Sequence, residues 1–383
     1  MVFYPLLDET TATPEARPSG GRFELANDPA QKWVLYGASG YTGRLIAREA
    51  TARGLQPVLA GRDAAKIEPL AAELRCDWRV FGLDNGAKIA AALEGTAAVL
   101  HCAGPFSATA EPMMEACLAA GVHYLDITGE IEVIESAKGR HDRALASAIA
   151  ILPAVGMDVV PSDCLAARLS EALPQAVRLE LAFGGTSSVS HGTAATIWEN
   201  IGRGGRVRQD GRIVRVPAAW KIQEIPFPRG PRRAMTIPWG DVASAFHTTG
   251  IPNIEVYAAV PARQLSLLRR FRFLAPLAGI GAVQSLGQRW IDRRIRGPSE
   301  AELTRGRTEF WGRATDEAGR TAEATLETPN GYALTVKTSL AILQQVLAGR
   351  VHAGFSTPAL ALGGGFIETI AGVTFAWRQR PSR

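Results

Sequence analysis

Short apolar runs alternate with amphipathic stretches through the first half of the chain. Trp33–Tyr36, Pro57–Gly61, Trp78–Leu83, Ala97–Cys102, Val122–Asp126 and Ala150–Val155 are compact and apolar, with strand character. Between them, 44–50, 86–94, 109–120 and 136–148 carry helix formers with apolar residues at helical spacing. Regular strand–helix alternation of this kind predicts an α/β unit on a parallel sheet. From about 177 the texture changes. Val177–Phe183 alternates like a half-buried strand. Residues 193–203 read as helix, 205–240 as short strands and turns, and 254–260, 307–315, 320–327 and 331–337 as strands. Thr338–Leu347 reads as helix. Gly354–Trp377 is apolar but interrupted by Pro358, Glu368 and Gly363–Gly365, so it reads as a buried helix and loop and not as a membrane span.

The first strand runs straight into Gly37, Ala38, Ser39, Gly40, Tyr41, Thr42 and Gly43, and a helical pattern follows. This G-x-x-G-x-x-G spacing is a variant of the dinucleotide fingerprint. Glycines let the backbone approach a pyrophosphate, and the helix N-terminus supplies N–H groups and a positive dipole end. The second strand ends at Arg62, where an NAD-preferring site carries an acid for the ribose 2′-hydroxyl. An Arg there suits a 2′-phosphate, with Lys66 and Ser39 as further donors, so NADP(H) is the expected cofactor. Asp63 is an adjacent acid, and a solvated loop charge is the competing role for Arg62. Asp84, after the third strand, is placed to meet the adenine amino group. Ala103, Gly104, Pro105 and Phe106 form a small turn at a strand's C-terminal end, where a doubly wound sheet presents its ligand.

The chain has 383 residues, enough for two domains, with 46% hydrophobic and 21% charged residues, which excludes a disordered chain. A net charge of +5 fits an anionic cofactor and gives no reason to expect nucleic-acid binding. The four cysteines form no CxxC pair, so neither a zinc site nor a dithiol redox site is indicated, and a reducing, cytoplasmic setting is expected. The first 30 residues lack the basic and apolar regions of a signal peptide and read as a leader.

The motifs GASGYTG, LAGRD, HCAGPF, GVHYLDITGE and VGMDVVPSD, in that order, resemble the saccharopine dehydrogenase-like oxidoreductases. Among these the chain is similar to the branch that holds the trans-acting enoyl reductases. The later segments HGTAATIWENI, TIPWGDVASAFHTTGIPNIEVY and GFSTPALALG extend the resemblance to the C-terminus. GASGYTG also occurs in acylglutamyl-phosphate reductases, but their catalytic Cys context is missing here. The resemblance implies an N-terminal Rossmann domain, a doubly wound parallel sheet binding NADP(H), and a second α/β domain on a mixed sheet. The expected division is a leader (1–30), the NADP-binding domain (31–160), a substrate domain (161–345) and a C-terminal segment (346–383) returning toward the first domain. Carried onto this chain, Gly37–Gly43 hold the pyrophosphate, Ser39, Arg62 and Lys66 the 2′-phosphate, and Ala103–Phe106 the nicotinamide side. Where the family has Asn or a similar polar residue before that turn, this chain has His101-Cys102.

Hydride transfer needs orientation, a dry pocket and one proton donor. The candidate catalytic residues are Tyr124, Asp126, Asp158 and His191, with Glu130, Asp163 and Tyr257 in similar positions. Each has a plain structural alternative. Tyr124 can be buried with its hydroxyl paired, Asp126 can hold a loop, and Ser162 or Asp163 can cap the helix beginning near Cys164. His191 can be an ordinary junction histidine. Residues 263–296 combine an apolar centre, Phe273–Leu286, with Arg263, Arg269, Arg270 and Arg272 before it and Arg289, Arg293, Arg294 and Arg296 after it. The centre is too short to span a membrane. A lipid interface, a lid over an apolar substrate and a homodimer contact all suit it, as does a core helix with solvated arginines. The expected activity is NADPH-dependent reduction of a hydrophobic or acyl substrate, an activated C=C bond foremost, with an acidic acyl-carrier partner for the Arg-rich surface. Saccharopine-type C–N or carbonyl reduction, and a non-catalytic NADP-binding lipid-surface role, are the alternatives.

Overall fold

The structure is a computed structural model and describes residues 31–185, 204–261, 287 and 299–380. The leader, the helix expected at 193–203, His191 and all of 263–296 except Gly287 lie outside the described residues.

The first unit is built from β1 (Trp33–Tyr36), α1 (Tyr41–Ala52), β2 (Pro57–Gly61), α2 (Ala64–Leu74), β3 (Trp78–Val80), α3 (Gly86–Leu93), β4 (Ala98–His101), α4 (Phe106–Ala120), β5 (His123–Asp126), α5 (Ile131–Lys138), α6 (His141–Ala146) and β6 (Ala150–Leu152). Every residue of β1, β2, β4 and β6 is buried, as expected of parallel strands covered on both faces. The single helix expected at 136–148 is instead two short ones, parted at Gly139 and Arg140.

The second unit follows with α7 (Val160–Ala172), β7 (Ala176–Gly185), β8 (Gly205–Gln209), β9 (Arg212–Val216), β10 (Ile222–Phe227), β11 (Gly230–Thr236), α8 (Asp241–Thr249), β12 (Asn253–Ala259), α9 (Glu300–Arg305), β13 (Arg307–Asp316), β14 (Thr321–Pro329), α10 (Gly331–Leu347), β15 (Gly354–Phe355), α11 (Pro358–Leu362) and β16 (Thr374–Gln379).

Two sheets result. The first is wholly parallel, in the order β15-β6-β5-β4-β1-β2-β3. The second is mixed, in the order β10-β11-β12-β7-β13-β14-β16, with β8 and β9 hung on β12. Its β7–β12 pair is parallel and the other ladders are antiparallel. This is the expected α/β class, a doubly wound sheet beside a mixed one. The C-terminal segment contributes to both: Gly354 pairs with Ala150 in the first sheet, and β16 pairs with β14 in the second.

Two local expectations fail. Residues 331–337 are the start of helix α10, not a strand. The Asn330 side chain accepts the Tyr332 N–H at 2.9 Å and starts the helix. Thr335 and Thr338, which favour strands locally, spend their hydroxyls on helix carbonyls and on the first unit. Thr335 Oγ1 accepts the Met157 N–H at 3.0 Å, and Thr338 Oγ1 donates to the Val155 carbonyl at 2.9 Å. Tertiary contact outweighs propensity here. Likewise Gly354–Trp377 is not one helix and loop but β15, α11, a 3₁₀ turn at Gly364–Thr369 and the beginning of β16.

Candidate active site

At the C-terminal end of β1 the chain turns immediately. Gly37 has a φ of +83°, which favours glycine, and a Cβ there would lie 2.8 Å from the Ala103 nitrogen. A Cβ on Gly43 would lie 2.3 Å from the Gly37 oxygen. The Gly40 N–H closes the turn on the Gly37 carbonyl at 3.0 Å, and the Ala38 N–H reaches the Ala60 carbonyl at 3.1 Å. Ser39, Tyr41 and Thr42 complete the loop. Helix α1 has neither a side-chain cap nor an acid in its first turn. Its first N–H groups and its positive dipole end therefore face the open edge of the sheet. A cradle with room only for hydrogen at Gly37 and Gly43 is the geometry a pyrophosphate needs, so a dinucleotide fits.

Arg62 follows β2 and is exposed, and no hydrogen bond or ion pair ties its guanidinium among the described residues. Lys66 pairs with Asp63 at 2.9 Å, with both groups on the surface. Burial pushes the Tyr36 phenol up, Arg62 pulls it down and Asp84 pushes it up again, so both charges lie within electrostatic reach of that ring. Asp84 lies beyond the end of β3 and folds its carboxylate back over Gly82, 2.7 Å from the place of a Cβ. The structure thus gathers Arg62 and Asp84 at one edge, beside the glycine loop.

The turn after β4 is held from behind. His101 is fully buried, and burial pushes it down to about 3, so it stays neutral. Thr109 Oγ1 donates to the Ala103 carbonyl at 2.6 Å and faces His101 Nε2 at 3.0 Å. With the hydroxyl proton so used, His101 carries its own proton on Nε2. Gly104 and Pro105 remain exposed, while Phe106 packs edge-on against His101 at 5.3 Å. Glu130 then clamps the start of α4, its carboxylate accepting the Phe106 N–H at 2.9 Å and the Ser107 N–H at 2.8 Å. The sequence offers Glu130 of HYLDITGE as a candidate proton donor, and the structure shows its carboxylate in this clamp.

Two of the expected catalytic residues are internal. Tyr124 and Asp126 are both fully buried and have no surface to offer a substrate. The Tyr124 hydroxyl donates to Asp126 Oδ2 at 2.7 Å. Asp126 Oδ1 accepts the N–H groups of Thr128 at 2.9 Å and Ala154 at 2.8 Å. The second bond holds Ala154 at a φ of +62°, a strained value for a residue with a Cβ. Burial pushes Asp126 up, the three donors pull it back, and it comes to rest at about 6. Tyr124 and Asp126 therefore position the loops at the sheet's edge. Asp163 is buried in the first turn of α7, and its carboxylate caps a different helix: Oδ2 accepts the Ala359 N–H of α11 at 2.8 Å and Oδ1 accepts the Thr248 hydroxyl at 2.6 Å. Tyr257 donates to Glu255 at 2.5 Å within the second sheet.

Asp158 is different. It lies in the loop from β6 to α7, and its carboxylate is 3.0 Å from where a Cβ on Gly129 would stand. No hydrogen bond reaches that carboxylate among the described residues, and burial pushes it up to about 7. Its backbone carbonyl accepts the indole N–H of Trp239 at 2.6 Å, which brings the second unit to this edge. Trp239 packs at a tilt against Phe183, ring centres 4.9 Å apart. On the cofactor side, Tyr332 of α10 meets Tyr41 of the glycine loop edge-on at 5.1 Å.

Residues 33–151 match the family described as the saccharopine dehydrogenase NADP-binding domain. The trans-acting enoyl reductase of Mycobacterium leprae is 35% identical over 141 residues, 34% of this chain and 33% of that protein. The saccharopine dehydrogenase-like oxidoreductase of Bos taurus is 27% identical over 150 residues, 34% of this chain and 35% of that protein. The alignments thus span about a third of the length of the curated relatives. The apo saccharopine dehydrogenase (L-Glu forming) of Saccharomyces cerevisiae superposes with a TM-score of 0.61, covering 91% of this chain and 100% of that one at 10% identity, which establishes a shared fold. Among the described residues no helix is long and apolar enough to cross a membrane.

Proposed function

From the premise that residues 33–151 are a saccharopine dehydrogenase NADP-binding domain, we propose that the chain is an NADPH-dependent reductase of a hydrophobic substrate, an activated C=C bond in an acyl chain. The Gly37–Gly43 loop and the first turn of α1 take the pyrophosphate. Arg62, with Ser39 and Lys66, takes the 2′-phosphate, and the Ala103–Phe106 turn takes the nicotinamide end. When bound, NADPH supplies a hydride. Asp158 supplies the proton that completes the reduction, and the site recovers it from solvent.

One observation carries this reading: the Asp158 carboxylate lies against Gly129 and within electrostatic reach of the buried Asp241, accepts no hydrogen bond among the described residues, and is pushed by burial up to about 7. It is joined to the nicotinamide turn through the adjacent residues Gly129 and Glu130. A group titrating near the working pH both holds and releases a proton readily. The preference for an apolar substrate rests on the Trp239 indole, which is bonded to the Asp158 backbone carbonyl, and on the Phe183 ring beside that indole. A polycarboxylate substrate calls for convergent free cations. Arg206 and Arg208, which reach the first unit from the second sheet, are already paired with Glu132 at 3.1 Å and Glu135 at 2.7 Å. The identity to the mycobacterial trans-acting enoyl reductase supports the same choice.

The test is NADPH oxidation by the purified chain, with 2-enoyl thioesters set against an imine that bears several carboxylates. Turnover of the enoyl thioesters is expected. NADPH is expected to bind at least about tenfold more tightly than NADH, a charge-assisted contact's worth, with Arg62→Ala removing that selectivity. Turnover of the carboxylated imine alone would overturn the substrate reading, and equal affinities for the two cofactors would overturn the role of Arg62.

A further inference from the structure

We propose that Trp239 sets the substrate class of this site: its indole ring, backed by Phe183, takes the apolar chain beside the reacting carbon, while its N–H holds the Asp158 loop in register. This deepens the reductase reading and rests on it. Trp239 lies in the link between β11 and α8, on no regular element, yet it is fixed from several sides. Its Nε1 donates to the Asp158 carbonyl at 2.6 Å. Its ring leans on Phe183, which leans in turn on Phe310 at 6.2 Å. The next residue, Gly240, is pressed so closely onto the first unit that a Cβ would lie 2.9 Å from a Val159 methyl, 3.1 Å from an Ile134 methyl and 3.2 Å from the Gly129 oxygen. The indole therefore cannot drift from the edge where Asp158 and Gly129 sit.

The exposures of these rings are informative. Phe310 and Trp311 of the neighbouring strand are 1% exposed, whereas Trp239 and Phe183 are half-buried. The only polar group of the indole is already spent on a backbone carbonyl, so what remains is a flat apolar face without a donor. Such a face stabilises a hydrocarbon chain and offers nothing to a carboxylate. Glu130 and Gly129 tie it to the reacting end, for Glu130 grips the turn at Phe106 and Ser107 while Gly129 touches both Asp158 and Gly240. An acyl chain lying on Trp239 thus leads toward the nicotinamide turn past the Asp158 carboxyl. Trp239 plays two parts, a contact for substrate and a positioning residue for Asp158, and the two are separable by substitution.

The chain preference is measured as binding without chemistry. Saturated acetyl- and decanoyl-pantetheine are titrated calorimetrically into the protein with NADP+ present, for the wild type, Trp239→Ala, Trp239→Phe and Phe183→Ala. The wild type is expected to prefer the decanoyl thioester by at least about tenfold, since each buried methylene adds to affinity. Trp239→Ala is expected to abolish the preference and Phe183→Ala to reduce it, with NADP+ affinity unchanged in both. Trp239→Phe keeps a ring but no N–H, so it is expected to keep the chain preference. In a separate kcat–pH profile with a 2-enoyl thioester and NADPH, Trp239→Phe is also expected to lower the pH at which kcat falls, because a loosened Asp158 loop is better solvated, Asp241 being the other acid within electrostatic reach of Asp158. An equal affinity of the wild type for both thioesters, or an undiminished preference in Trp239→Ala, overturns the proposal. Chain preference without enoyl turnover overturns the reductase reading alone, and enoyl turnover without chain preference overturns the role of Trp239 alone.

Discussion

Asp126 and Asp158 stand one loop apart, and burial acts on both, yet they are different reagents. Asp126 collects a hydroxyl and two backbone N–H groups, which offset part of its desolvation and leave it near 6 with no open face. Asp158 has no such donors and rests near 7. The sign of the pH effects follows. In the unfolded chain an Asp titrates near 3.9. Between there and about 7 the folded protein holds a proton on Asp158 that the unfolded chain has lost, so stability falls as pH rises through that window and levels off above it. A donor must also be protonated, so turnover falls as pH rises through about 7. Asp158→Asn is expected to reduce kcat by about 10²–10⁴-fold. The same amide removes the charge that folding disfavours, so melting temperature is expected to rise, and by more at pH 8 than at pH 5. A variant that keeps its activity removes Asp158 as the donor. The sequence offers both acids as candidates. It could not rank them, because their difference lies in Ala154 and Thr128, which reach Asp126 and not Asp158.

At the scale of elements, legibility followed locality. The sequence from Trp33 to Gly43 announces strand, turn and helix because each role has a residue requirement of its own. The buried run needs apolar side chains, and Gly37 and Gly43 need the absence of one. That makes the turn testable. Gly43→Ala places a methyl 2.3 Å from the Gly37 carbonyl oxygen, a backbone atom that cannot swing aside. The expected result is a loss of about 1–3 kcal/mol in urea unfolding, with NADPH affinity falling as the loop moves off β4. Unchanged stability and affinity would show that the loop yields freely. Elements set by distant partners were hidden. α10 reads locally as a strand over its first residues; the Asn330 cap starts it, and Met157 and Val155, far back in the chain, engage the hydroxyls of Thr335 and Thr338 once the helix has formed. β15 is two residues long, too short to carry any period. Trp239 stood in a motif without a role, since nothing in the sequence says that its N–H meets the carbonyl of Asp158.

At the scale of the whole molecule the two sheets do not form separate bodies. One continuous cluster of buried apolar side chains runs from Trp33 in the first unit through Leu165 of α7 to Leu326 and Ile370. A charged seam adds to it, for Glu135 of α5 meets Arg208 at 2.7 Å and His247 at 3.3 Å, and Arg208 lies over the Phe246 ring at 4.0 Å. The C-terminal segment closes the arrangement by adding a strand to each sheet, and Asp163 is where it is pinned. Oδ2 of Asp163 takes the Ala359 N–H, Oδ1 takes the Thr248 hydroxyl, and Thr248 and Thr357 lie 2.5 Å apart. Asp163→Ala leaves the Ala359 N–H and the Thr248 hydroxyl without their acceptor, an expected loss of about 2–3 kcal/mol. The segment that bears β15 and β16 should then detach before the rest, so thermal unfolding splits into two steps. Asp163→Asn behaves otherwise. Its amide oxygen still accepts from Ala359, its NH2 donates to Thr248, and Thr248 turns its own proton toward Thr357. Burial already pushes the Asp163 carboxyl up, so exchanging it for a neutral amide is expected to leave a single transition at an equal or higher temperature at pH 8. Both variants melting in one step, at the wild-type temperature, would mean that the segment is held by its apolar contacts alone.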